Sequence, residues 1–161
     1  MDDVQVRTLT IHDDHRGSVR EQYRESWFPE VPPVKQLVHS RSLPKTMRAM
    51  HAHKRQWDIW HFTEGHALVV LYDLKGYLRV LTADRGTVIA IPPGVAHGFY
   101  TESGATLIYA LTEEYDGTDE FGFDPYDDNF PGHYYWPTPD QVLISQRDIG
   151  APSLGEFLGR W

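Results

Sequence analysis

The sequence predicts an all-β domain, a jelly roll or barrel carrying one short helix at its carboxyl end. Three observations support this. Short stretches rich in Val, Ile, Leu and aromatic residues recur at close, even spacing, turn residues punctuate them, and sustained helical periodicity is missing until the last dozen residues. In order, the candidate strands are 34–38, 57–62, 67–72, 77–81, 87–91 and 106–111. Between them stand Glu64-Gly65, Leu74-Lys75-Gly76, Asp84-Arg85-Gly86, Pro92-Pro93-Gly94 and Ser103-Gly104, residues that accept the backbone angles of turns. Many short strands so spaced suit a jelly roll or barrel. At the end, Leu154, Phe157, Leu158 and Trp161 fall at helical spacing.

With 161 residues and no internal repeat, the chain is expected to form one domain spanning 1–161, large enough to bury a core without disulfides. Cysteine is absent, which excludes a disulfide framework, a thiolate metal site and a cysteine nucleophile. The formal charge of −8 and the lack of a basic stripe argue against a nucleic-acid partner, while a few converging arginines could still hold a small anion. No apolar run approaches the roughly 20 residues that span a bilayer, and the amino end lacks a basic start and an apolar stretch. A soluble, cytoplasmic protein with no membrane partner is the expectation. Residues 113–128 are acidic and rich in Gly and aromatics, and read as a linker, a disordered tract or an ordered loop over a site.

Six of the nine histidines lie between His39 and His97. Their spacing matters more than their number. In MRAMHAHKRQWDIWHFTEG, residues 47–65, His51 and His53 stand two apart and share one face of a strand, so both can point into a barrel. Asp58 follows five residues later, and a second segment, GTVIAIPPGVAH, ends on His97. Together these resemble the paired motifs of the cupin superfamily, with Asp58 where the motif usually has Glu. The resemblance implies a cupin jelly-roll barrel. In metal-binding cupins the matching residues, here His51, His53, Asp58 and His97, hold one divalent ion, and three imidazoles with a carboxylate suit iron, manganese, nickel or zinc. Other cupins bind no metal.

A longer match covers nearly the whole chain. Asp14-His15-Arg16-Gly17 with Glu21, then Gln36, Ser40 and Ser42 ahead of MRAMH, then IPPGVAHGFY, IYALTEEY and WPTPDQVLISQRD follow one another in the order and spacing of the dTDP-4-dehydrorhamnose 3,5-epimerases. The chain resembles that family. Its substrates are nucleotide-linked 4-keto-6-deoxyhexoses, in which the ketone acidifies the hydrogens on the carbons beside it. A base on one ring face removes such a hydrogen and an acid on the other face returns one inverted. The resemblance implies His51 as the base, Asp148 as the carboxylate that orients it, and Tyr109 as the acid, with no cofactor required. It implies that Arg16 and Arg48 meet the diphosphate, that Glu21, Gln36 and Tyr115 contact nucleotide or a neighbouring subunit, and that His97 lines the site. It also implies a homodimer with exchanged amino-terminal strands.

The match departs from the family at one place. Where the family has a lysine that steadies the enolate, and an aspartate that accompanies it, this chain has Asp58 and Val69, and His53 replaces a glutamine. The same departures complete the metal motif, so either a divalent ion stands in for the lysine or the reaction is changed or lost. RAMHAHKRQ is also similar to a segment of the sugar-nucleotide 3,4-ketoisomerases, which would use His51 and His53 as acid and base. The readings that follow are an epimerase in deoxysugar or polysaccharide synthesis, a 3,4-ketoisomerase, a metal-dependent cupin enzyme, and a sugar-nucleotide-binding cupin without catalysis.

Overall fold

The computed structural model describes Met1 and residues 3–161. Among these residues eleven strands are formed: β1 Gln5–Thr8, β2 His12–Asp14, β3 Gly17–Val19, β4 Gln36–Ser42, β5 Thr46–Ala52, β6 Asp58–Tyr72, β7 Leu78–Asp84, β8 Thr87–Ile91, β9 Ala96–Thr101, β10 Ala105–Leu111 and β11 Phe121–Gly122. Two short helices end the chain, α1 Gln146–Ile149 and α2 Leu154–Arg160. Among the described residues no helix is long and apolar enough to cross a membrane.

The long strand β6 organises the sheet. Its first part pairs antiparallel with β8 on one side and β10 on the other, and its second part pairs with β7 and β9. Strands β1 and β4 extend the first set, through β8 and β10, and β5 and β11 extend the second through β9. Side chains from both sets, including Trp60, Phe62, Val69, Leu71, Ile89, Phe99 and Leu107, pack into one buried cluster. Such residues suit strands because branched and aromatic side chains fill a pleated, half-buried surface.

The Glu64-Gly65 pair is not a turn between two strands; β6 runs through it. Opposite it, the register with β10 slips between Thr106 and Leu107, and the bulge lets the strand leave one set of partners for the other. Gly65 has a φ of +72°, and a Cβ there would lie 2.2 Å from the Gly104 carbonyl oxygen. Gly65→Ala is therefore expected to destabilise the protein by about 1–3 kcal/mol or more in urea unfolding, since a left-handed backbone and a main-chain clash coincide. Gly155→Ala in α2, where a Cβ meets nothing within 4 Å, is the control and should stabilise by about 0.5–1 kcal/mol.

The segment 113–128 is an ordered loop. Phe123 is fully buried, β11 pairs with β5, and the Asp119 carboxylate accepts the backbone N–H groups of Lys54, Arg55 and Gln56 at 2.9, 3.0 and 3.1 Å. The carboxyl-terminal segment packs over β5. Leu143 exchanges backbone hydrogen bonds with Lys45 and Met47, and Leu154 and Phe157 join Phe123, Phe130 and Trp136 in a second apolar cluster. The expected terminal helix is α2, opened by a reciprocal Ser153–Glu156 cap. Strand β1 lies on β8 of its own chain; the hairpin β2–β3 forms a separate two-stranded sheet with every residue exposed.

Candidate active site

A cleft of about 390 Å³ opens between the two sets of strands. Its lining draws on β4 (Gln36), β5 (Arg48, His51), β6 (Asp58, Trp60), β9 (His97) and β10 (Tyr109), together with His53, Tyr115, Glu120 and Arg147. Alternation along the strands brings these polar groups inward: Asp58 and Trp60 stand two apart on β6 and project to the same side.

On one wall, His51 meets the carboxyl-terminal segment. Its Nε2 lies 3.1 Å from Oδ1 of Asp148, which is buried, and 2.8 Å from a guanidinium nitrogen of Arg147. One nitrogen cannot serve both at once. As N–H it donates to the carboxylate, and as a lone pair it accepts from Arg147, so each protonation state of the ring finds a partner. Arg147 also donates to Asp148 at 3.2 Å and to Glu120 at 2.6 Å. Burial pushes the Asp148 carboxyl up, but the hydrogen bonds and charges of His51 and Arg147 outweigh it and hold the group below the ordinary aspartate value. Asp148 is placed by local chemistry, its backbone N–H donating to the Ser145 hydroxyl at the start of α1.

Tyr109 lines the same cleft from β10, opposite Trp60 in the sheet register. Burial, and then the nearby negative charge of Asp58, raise its phenol above the ordinary value, so it keeps its proton at neutral pH. At the mouth, Gln36 accepts the backbone N–H of Tyr115 at 2.7 Å, and Arg48 is exposed with its Nε donating to Ser42 at 3.1 Å.

The floor holds His53, Asp58 and His97, with one ligand atom of each within 4.8 Å of the others. His51 is not among them; of the four residues in the cupin motif, the structure brings three together and turns the fourth to Asp148. Burial lowers the His97 imidazole to about 4, against the opposing pull of Asp58. Two further expected binding residues lie elsewhere in this chain. Arg16 sits at the turn of the exposed hairpin, paired with Asp14, and Glu21 pairs with Arg24 beside a different cavity. The sequence reading missed Arg147, Glu120 and Gln56; of these only Arg147, adjacent to Asp148, carried a local signal.

A polar cleft in an antiparallel β fold, with an imidazole–carboxylate pair and a protonated tyrosine on its walls, has the form of an acid–base enzyme for a small molecule. A sequence profile of the dTDP-4-dehydrorhamnose 3,5-epimerases matches residues 1–156, and the chain belongs to that family. It is 37% identical over 150 residues to the spore coat polysaccharide biosynthesis protein SpsL of Bacillus subtilis, covering 86% of this chain and 97% of that one. It is 30% identical over 160 residues to a dTDP-4-dehydrorhamnose 3,5-epimerase of Sinorhizobium fredii, covering 89% of this chain and 81% of the relative. Among solved structures it superposes with a TM-score of 0.85 on NovW, a 4-keto-6-deoxy sugar epimerase of Streptomyces spheroides, at 26% identity over 97% of this chain and 85% of that one. The TM-score is also 0.85 for ChmJ, a 3'-monoepimerase of Streptomyces bikiniensis solved with dTDP-quinovose, at 26% identity over 98% and 86% of the two chains.

Proposed function

We propose that this protein epimerises a nucleotide-linked 4-keto-6-deoxyhexose at C3, C5 or both. The observation that carries the reading is the His51–Asp148 pair, 3.1 Å apart, on the wall of a cleft that Tyr109 also lines. His51 takes the hydrogen from the carbon beside the ketone, and the electrons of that C–H bond move onto the carbonyl oxygen as an enolate. The enolate then collapses with a proton delivered from the other ring face by the Tyr109 hydroxyl, and solvent restores the phenol and the neutral imidazole. Asp148 orients His51 and stabilises its charged form. Arg48 at the mouth suits a phosphate, since guanidinium pairs its N–H groups with phosphate oxygens.

Around this reading stand further proposals: a single cupin jelly roll closed from the two strand sets, acting in the cytoplasm in deoxysugar or polysaccharide synthesis, and a homodimer. The exposed β2–β3 hairpin supports the dimer, because docking it on a second copy would cover its edges and carry Arg16 toward that copy's cleft. The ketoisomerase alternative is less well served, as both ring nitrogens of His53 already face protein groups, Asp119 and Asp58.

The test of the function is to incubate dTDP-4-keto-6-deoxyglucose with the protein, reduce the mixture with borohydride and identify the sugars. The expected products are 6-deoxyhexoses inverted at C3, C5 or both relative to the untreated control. Products differing only at C4, as simple reduction gives, would remove the proposal. Asp148→Asn should slow product formation by about 10²- to 10⁴-fold, since an amide can present a donor to His51 and hold the wrong tautomer. A rate within a few-fold of the parent would show that Asp148 does not orient the base.

A further inference from the structure

At the floor of the cleft three groups that can donate electron pairs face one another. Nδ1 of His53 lies 2.5 Å from the Asp119 carbonyl oxygen, and Nδ1 of His97 lies 3.0 Å from that of Val95. A carbonyl only accepts, so in both rings Nδ1 carries the hydrogen and donates, and Nε2 of the neutral ring is left as a lone pair. Both lone pairs are turned to one carboxylate: Nε2 of His53 is 3.7 Å from one oxygen of Asp58, and Nε2 of His97 is 3.8 Å from the other. These separations exceed hydrogen bonds, and with both rings neutral the facing lone pairs offer a shared cation three donors. Donors about 2.0–2.2 Å from a shared ion stand roughly 3–4 Å from each other; both imidazoles stand at that range from Asp58, and with all three ligand atoms within 4.8 Å of one another a modest closing of the set would seat one ion.

The surroundings also fit. Asp58 is 4% exposed, and each of its oxygens accepts one further hydrogen bond, from Gln56 Nε2 at 2.6 Å and Trp60 Nε1 at 3.0 Å. All three donors are thus oriented by a partner behind them, the arrangement that holds metal-ligating imidazoles and carboxylates in place. A site with two imidazoles, one carboxylate and an open side toward the cleft is the donor set of zinc and iron(II) enzymes.

We infer that His53, Asp58 and His97 form a divalent transition-metal site at the cleft floor, separate from the His51–Asp148 base. The linear motif set metal and base in competition for His51; the folded chain assigns His51 to Asp148 and leaves a complete three-ligand set. Its use rests on the epimerase reading: when bound, such an ion supplies Lewis acidity toward a ketone oxygen, the service that Asp58 no longer offers as a lysine would. The chain's part is to hold the three donors, while His51 and Tyr109 move the protons.

The test uses the whole protein stripped with chelator and dialysed against Zn(II) alone or Co(II) alone, with metal content and the visible absorption of cobalt as readouts. One ion per chain is expected, with Asp58→Asn, His53→Gln and His97→Ala each weakening uptake by more than about 100-fold, and Gln56→Leu by about 10- to 100-fold. His51→Asn and Tyr109→Phe should bind as the parent does. Far-UV circular dichroism identifies any variant that fails to fold, and Asp58→Asn, which keeps the side chain's shape, decides the matter if His97→Ala does. No saturable uptake by the parent, or uptake unchanged in folded Asp58→Asn and His53→Gln, overturns the site. Solvent exchange into the sugar is followed separately: exchange without uptake removes the metal and leaves the epimerase, while uptake without exchange supports the site and removes the epimerase.

Discussion

His51→Asn is expected to lower the turnover of a nucleotide-linked 4-keto-6-deoxyhexose by about 10²- to 10⁴-fold, the contribution of a positioned general base. The effect should fall on kcat with KM little changed if His51 acts on the reacting carbon as proposed, with Arg48, which lines the same cleft, proposed to hold the charged end of the substrate. Asparagine fills the space of part of the ring and can still hydrogen-bond Asp148, which would otherwise be left as a buried carboxylate facing only Arg147. Steady-state kinetics on parent and variant check this. Equal loss in kcat/KM with an unchanged kcat would mean that His51 binds substrate and does not take its proton.

Tyr109→Phe is expected to separate the two halves of the reaction. The base remains, so hydrogen beside the ketone still exchanges with solvent deuterium, but the acid on the far face is gone and inverted product should fall by about 10²- to 10⁴-fold. The phenol's raised pKa, from burial first and Asp58 second, means that it is a proton donor throughout the neutral range. Exchange measured by mass increase and product measured after reduction give the two rates. If both fall together, Tyr109 acts in the first step or in binding; if neither falls, another donor serves the far face.

Much of the fold was legible because apolar runs broken by turn residues leave few alternatives to a β architecture; β8 occupies 87–91 as expected, and α2 lies where the terminal spacing put it. The exceptions have physical causes. Residues 57–62 and 67–72 read as two strands because Glu64-Gly65 has the chemistry of a turn, and only the strand across from it, β10, reveals that the same residues form a bulge. Strand β9 was not among the expected strands; it carries Gly98, where a Cβ would lie 2.5 Å from that of Ala49, so the glycine marks close strand approach. The site was less legible from local pattern. His51 and Asp148 stand 97 residues apart, and nothing in the periodicity of either segment joins them; only the family resemblance did. The division of the histidines between base and floor depends on which backbone carbonyl each Nδ1 reaches, Asp119 for His53 and Val95 for His97, and a linear motif does not carry that.

Proton NMR of dTDP-4-keto-6-deoxyglucose incubated in deuterated water with the parent protein and with His51→Asn reads the proton abstraction itself. On the epimerase reading the parent removes the signal of the hydrogen at C3, C5 or both while the variant leaves it in place. Full retention of both signals in the presence of the folded parent protein would contradict it.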